Sequence, residues 1–440
     1  MRFIFFSLIL LLFSNTSYAK TFMLENEPIF GASVFIQTLG NPANETIILV
    51  HGLGDEASTI WKGTIDALSE KYYIVTFDLP GFGKSSKENK LYSPTNYAKL
   101  IRYIANKYVK KPFHLIGHSM GGAIALKYTS LYAKDVSSLV LVDAAGILHK
   151  NAYSNFLVNN KIDDLFDGRF EKLKTVHFSN FIDKIVNKFD NSKIINLDTV
   201  LSTELLRGTI LRGNPNIIAA VALVQENFNG IPQDIKTKTM LIWGEEDDIA
   251  PLKTGYVLNK LIPNSVLKVI PHSKHIPMIT DKEKFLEQLF EHFSNQNIIA
   301  KINKKNIIEP YDINVTNEQI QIYTGNIKKI TIKNSKNIII KDAIIEELLI
   351  TDSDVEIINS TFLHSNNNNV IFAKNSNLSI VASDLFGEIE ADGSILNLAG
   401  VFMSAQNPIH STNNSTVIFS LCTINDKLIH GNETIIKKGN

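Results

Sequence analysis

Two hydropathy textures follow one another along the chain. From about residue 22 to 295, short β-branched runs alternate with stretches of helical spacing, as βαβ units with a parallel sheet require. The apolar runs Thr46–Val50, Tyr72–Phe77, Phe113–Ile116, Leu139–Val142, Thr239–Trp243 and Val266–Ile270 predict strands. Asn96–Val109 and Gly121–Ala133 carry helical spacing, and Asp281–Phe293 places Leu286, Leu289, Phe290 and Phe293 on one predicted face. Residues 147–230 break the alternation and predict several amphipathic helices inserted after one strand.

Beyond about residue 300 the texture changes to short apolar runs separated by Asn, Asp, Ser and Gly. Four copies of a pattern stand out: Asp352-Ser353-Asp354-Val355, Asn375-Ser376-Asn377-Leu378, Asp392-Gly393-Ser394-Ile395 and Asn414-Ser415-Thr416-Val417. Five positions beyond each closing apolar residue comes a small one, Ser360, Ser383, Gly400 or Cys422; two further on stands Phe362, Leu385, Phe402 or Ile424. A looser copy begins at Asn334-Ser335. A turn and a short strand recurring about every 20 residues describe a β-solenoid, whose coils bury their apolar faces by stacking. The segment 307–440 therefore resembles parallel β-helix domains, with an ordinary β-sandwich as the alternative. The only cysteine, Cys422, takes the small-residue slot, which marks it as a packed structural thiol.

The first 19 residues have the layout of a signal peptide: Arg2, the apolar run Phe3–Phe13, then Ser17-Tyr18-Ala19 as a cleavage site. The run is shorter than the roughly 20 residues a membrane span needs. A mature chain beginning near Lys20, exported to the periplasm or secreted, is expected, with an uncleaved interfacial anchor as the alternative. Basic and acidic residues balance at 44 each, so no basic field for nucleic acid or anionic lipid is present. An apolar share of 44% argues against extended disorder.

The chemistry concentrates at Gly117-His118-Ser119-Met120-Gly121. It follows an apolar run and precedes a helical stretch, the context of a G-x-S-x-G nucleophile elbow. Such a turn presents Oγ above a sheet at a helix N-terminus, where backbone N–H groups face developing negative charge. His51-Gly52-Leu53-Gly54 follows Thr46–Val50 and can offer the Leu53 N–H as one oxyanion donor, with Met120 N–H as the other. Asp78–Ser85 is a Gly/Pro loop that can return the chain across the sheet. For the acid, Glu245, Glu246, Asp247 and Asp248 follow one strand and Asp143 ends another; for the base, His272 and His275 compete.

Together, HGLG (51–54), DLPGFGKS (78–85), GHSMGG (117–122) and WGEEDDIAP (243–251), with a late histidine, resemble the α/β-hydrolase fold family over residues 22–295. The chain looks most like its esterase and monoacylglycerol-lipase-like members with a helical cap. The resemblance implies that residues 147–230 form the cap, whose Phe156, Leu157, Leu165, Phe166, Phe178 and Phe181 suggest an apolar acyl pocket. By the family's spacing the acid is Asp247, and the late His-x-Pro signature makes His275 the base, with His118 pointing away as a packing residue or a support behind the site. The implied activity is hydrolysis of a carboxylic ester, a lipid or another acyl ester, through an acyl-enzyme. Ser119 argues against dehalogenases and epoxide hydrolases, which place aspartate at the elbow. Peptidases, thioesterases, carbon–carbon hydrolases and haloperoxidases remain as serine relatives.

A different class of function would make the solenoid the main element, binding glycan, a surface or a second copy, with the hydrolase secondary or inactive. Lyase chemistry in the solenoid would need a convergent acidic or metal cluster, and the sequence offers none. No metal-ligand spacing, Walker loop or dinucleotide fingerprint is present, so no metal and no cofactor are expected. All candidate site residues precede the repeat, and Lys301–Asn306 reads as an exposed linker. This predicts that residues 22–300 act autonomously.

Overall fold

The computed structural model describes residues 20–148, 197–294, 309–363, 369–431 and 436–438. The expected signal peptide, the expected cap residues Phe156 to Phe181 and the expected linker 301–306 lie outside the described residues.

Eight strands form the first sheet: β1 (Thr21–Glu27), β2 (Ala32–Leu39), β3 (Thr46–Val50), β4 (Tyr73–Phe77), β5 (Phe113–His118), β6 (Val136–Val142), β7 (Lys238–Gly244) and β8 (Ser265–Ile270), in the order β1-β2-β4-β3-β5-β6-β7-β8. The pairs β1–β2 and β2–β4 are antiparallel and all others parallel. Every residue of β3 is buried, as expected of a strand covered on both faces. The hairpin β1–β2 extends the sheet beyond the predicted strands; β1 is mostly exposed and owes its form to its partner strand.

The helices Pro94–Tyr108 and Met120–Leu131 match the predicted spacing closely. Ser93 caps the first, its Oγ accepting the Asn96 N–H at 3.2 Å, and Pro94 sits where no N–H is needed. In the last helix, Lys282–Phe293, Leu289 of the predicted face is buried and Leu286 and Phe293 pack against the core, joined by buried Phe285 and His292, whereas Phe290 is exposed. Between β6 and β7 the described part of the cap segment supplies helices Leu197–Ser202, Glu204–Ile210 and Pro215–Gln225. The third rests on the C-terminal edge of the sheet, with Leu223 against Gly146.

The C-terminal residues wind into a solenoid of parallel strands. Three columns of side chains fill its interior: Ile338, Val355, Leu378, Leu396 and Val417; Ile345, Phe362, Leu385, Met403 and Ile424; and Val315, Ile332, Ile350, Ala373, Ala391 and Ser411. The strand Lys427–Gly431 folds back antiparallel on Thr416–Ile424.

The repeat has a physical cause. At one corner of each coil, Asn334, Asp352, Asn375, Gly393 and Asn414 take positive φ, a region that Asn, Asp and Gly enter most easily. The next residue is always serine, and these serines form a ladder. The backbone N–H groups of Ser335, Ser353, Ser376 and Ser394 donate to the Oγ of Ser353, Ser376, Ser394 and Ser415 at 3.0–3.1 Å. The buried corner is thereby satisfied without water.

This ladder corrects the third sequence copy by one residue. Ser394, not Gly393, aligns with Ser376, and Leu396 rather than Ile395 is the buried apolar residue. The small-residue slot accordingly runs Ser360, Ser383, Val401, Cys422, and Met403 rather than Phe402 faces inward. Asp392-Gly393 had mimicked the Asn-Ser pair because Gly and Asn serve the same left-handed corner. Cys422 is fully buried, and burial pushes its thiol up to about 11, which leaves it unreactive.

Candidate active site

Strand β5 delivers Ser119 into the turn that starts helix Met120–Leu131. Ser119 has φ 55° and ψ −121°, a conformation few non-glycine residues adopt. Its N–H donates to the Val142 carbonyl at 2.9 Å, and its carbonyl accepts from Gly122 and Ala145 N–H at 2.9 and 3.1 Å. Glycine is obligatory on both sides. A Cβ on Gly117 would lie 2.2 Å from the Gly121 carbonyl oxygen, and one on Gly121 would lie 2.3 Å from that of Val50.

The structure brings Ser119, His275 and Asp247 into one relay. His275 Nε2 lies 3.0 Å from Ser119 Oγ, and its Nδ1 lies 2.9 Å from Asp247 Oδ2. Asp247 Oδ1 also accepts the N–H groups of Ile249 at 2.8 Å and Ala250 at 2.9 Å, which orients the carboxylate. The loop 51–54 crosses the nucleophile so closely that a Cβ on Gly52 would stand 2.8 Å from Ser119 Cβ. Leu53 is half-buried there, and Met120 is the first residue of the helix, whose first N–H groups have no intrahelical acceptor.

The competing residues fall elsewhere. His272 is exposed and pairs with Glu246 at 3.0 Å. Glu245 accepts the His272 N–H at 3.2 Å, and Asp248 is half-exposed, 4.0 Å from Lys274. Asp143 is fully buried behind the site; its Oδ1 accepts the Gly244 N–H at 2.9 Å. Burial, and then the neighbouring Asp247, hold its carboxyl well above the usual carboxylate range. A second buried carboxyl so close disfavours the charged form of Asp143.

His118 donates from Nε2 to the His275 carbonyl at 2.7 Å, its ring edge against Trp61. It thus fastens the backbone of the loop that carries His275, the supporting role of the two expected for it. His51 donates from Nδ1 to the Gly52 carbonyl at 2.7 Å and accepts the Leu79 N–H at Nε2, 2.9 Å. That arrangement needs a neutral ring, and burial pulls its pKa down to about 4. His118 is also pulled well below the ordinary value, and His292 to about 3, both chiefly by burial.

In an unfolded chain these rings protonate near pH 6.5 (about). Below that, the unfolded state binds more protons than the folded one, so stability falls as pH drops from about 6.5 toward 4 and is fully present above that window. Thermal melts from pH 7.5 to pH 4.5 should therefore show a falling Tm beginning near about 6.5, above the titration range of free carboxylates. A Tm flat down to about pH 5 would contradict the neutral buried set.

The sequence profile described as alpha/beta hydrolase fold matches residues 45–282. The chain belongs to this family. Lipase 1 of Psychrobacter immobilis is 30% identical over 249 residues, covering 54% of this chain and 74% of that protein. An uncharacterized hydrolase of Bacillus subtilis, YugF, is 29% identical over 260 residues, 56% of this chain and 89% of its own. Among solved structures, an esterase from Exiguobacterium antarcticum superposes with a TM-score of 0.45 at 21% identity, covering 60% of this chain and 96% of that one. The chain is thus a member of the esterase- and lipase-like α/β-hydrolases. Among the described residues no helix is long and apolar enough to cross a membrane.

Proposed function

We propose that this α/β-hydrolase is an exported serine hydrolase that cleaves a carboxylic ester, of a lipid or another acyl compound, through an acyl-enzyme. One observation carries the reading: the continuous relay from Ser119 Oγ through His275 to Asp247, with steps of 3.0 and 2.9 Å. In this reading His275 takes the Ser119 proton as Oγ attacks the ester carbonyl, while Asp247 holds the imidazole tautomer and stabilises the imidazolium. The Leu53 and Met120 N–H groups receive the oxyanion of the tetrahedral intermediate. His275 then protonates the leaving alcohol, and water activated by the same imidazole releases the acid. Similarity to a lipase favours an ester over the other bonds cut in this family. Export rests on the sequence of residues 1–19.

The test is covalent labelling with a fluorophosphonate, peptide mapping, and a p-nitrophenyl ester panel of increasing acyl length. Label on Ser119 with turnover that depends on acyl length is the expected result. A folded protein that neither labels nor hydrolyses any member would overturn the proposal. Expression with the natural N-terminus should yield a chain beginning near Lys20 outside the cytoplasm.

A further inference from the structure

The loop that carries Asp247 is tied to the helix that follows it. Beyond the two N–H groups that hold Asp247, the Trp243 indole donates to the Ala250 carbonyl at 2.8 Å, and Gly255 in helix Leu252–Leu261 packs on the same indole. Loop and helix therefore move as one body. The outward face of that helix is covered by the solenoid. Ile358, Val381, Ala382, Ala399 and Leu421 belong to the same buried cluster as Val257 and Leu258. A Cβ on Gly400 would come within 2.9 Å of Val257 Cγ1. Polar contacts ring this patch: Lys260 pairs with Asp384 at 2.8 Å, and Lys341 Nζ bonds the Tyr256 hydroxyl at 2.8 Å.

The solenoid's own sequence is altered for this contact. Its second corner takes positive φ in each coil, at Asp342, Asn359, Ala382, Gly400 and Leu421. Asp342 and Asn359 are exposed and are the residue types this conformation favours. Ala382 and Leu421, which adopt it only at a cost, stand where the corner is buried. A free solenoid would gain from Asn at those positions; apolar residues there make sense only if the contact is permanent.

We infer that the solenoid braces the acid loop: by clamping helix Leu252–Leu261 it fixes Asp247 behind His275, and ester turnover depends on it. This rests on the serine-hydrolase reading and replaces the autonomous catalytic unit expected from the sequence. Asp384, Ala382 and Gly400 are then positioning residues, acting through the helix without reaching Ser119.

The full-length variants Ala382→Asn and Gly400→Asn test the inference, because asparagine tolerates the corner's left-handed backbone while putting a polar group into the contact. Asp384→Ala is a milder third variant that leaves the corner untouched. Amide exchange should rise over residues 245–261 while the solenoid strands stay protected. The kcat per fluorophosphonate-titrated site should fall about 10–100-fold, with KM little changed, as a misplaced catalytic group would cause. Raised exchange over 245–261 with unchanged kcat would overturn the brace, and so would unchanged exchange in both Asn variants. A wild-type protein without ester turnover would instead fail the serine-hydrolase reading, while the exchange measurement still reports on the clamp.

Discussion

Ser119→Ala is expected to lower ester turnover by about 10⁶-fold, leaving roughly 10³–10⁴ over water from the oxyanion donors and binding. The size follows from removing the atom that, in the proposed mechanism, bonds to the acyl carbon. The fold should survive. The strained turn is held by backbone bonds from Ser119 N to Val142 and from Gly122 and Ala145 to the Ser119 carbonyl, none of which uses Oγ. Only the 3.0 Å bond to His275 is lost, a net effect of about 1 kcal/mol on stability. Purified variant with a wild-type melting profile and near wild-type turnover of a p-nitrophenyl ester would end the serine mechanism.

Asp247→Asn should cost about 10⁴-fold in turnover with little loss of folding. The geometry says why the amide would sit the wrong way. Oδ1 is held by the Ile249 and Ala250 N–H groups at 2.8 and 2.9 Å, so asparagine keeps its oxygen there. Its NH₂ then takes the place of Oδ2, 2.9 Å from His275 Nδ1. A donor facing Nδ1 turns that nitrogen into an acceptor and leaves the proton on Nε2, which can no longer accept one from Ser119. Asp143→Asn is the control. Burial and Asp247 disfavour a charge on Asp143, so a neutral amide is expected to change little there, and Asp248→Asn alters a half-exposed group away from His275. If either of these abolished turnover while Asp247→Asn did not, Asp247 would not be the acid. Steady-state kinetics on the three purified variants decides it.

The parallel core of the first sheet was legible because strands buried on both faces must be largely apolar, and β3 to β7 write that plainly. The elbow was legible for a related reason: a residue forced to φ 55° between two close backbones leaves only glycine as its flanks. Strand β1 was not, since an exposed edge strand carries no such demand. The helix Lys282–Phe293 shows the limit of periodicity: Leu286 and Phe290 fit an apolar stripe as well as Phe285 does, and the inward face was chosen by what it meets.

In the solenoid, the chain itself determined that coils would form, through Asn, Asp or Gly at a left-handed corner and serine after it. Register within the third coil was decided only by stacking, because Gly393 and the neighbouring Asp392 satisfy the local pattern equally well in two frames. The same division holds at the site. Local sequence determined the strained turn at Ser119, which is built from contiguous residues. The raised carboxyl of Asp143 beside Asp247 and the bond from His118 to the His275 carbonyl arise between segments far apart in the chain, 157 residues in the second case. They depend on distances and burial, and an electrostatic interaction exists only once the fold has removed the water between its partners. The contact between solenoid and helix Leu252–Leu261 belongs to the tertiary structure for the same reason: Ala382 and Leu421 are unremarkable apolar residues until their left-handed backbone and the surface covering them are seen together.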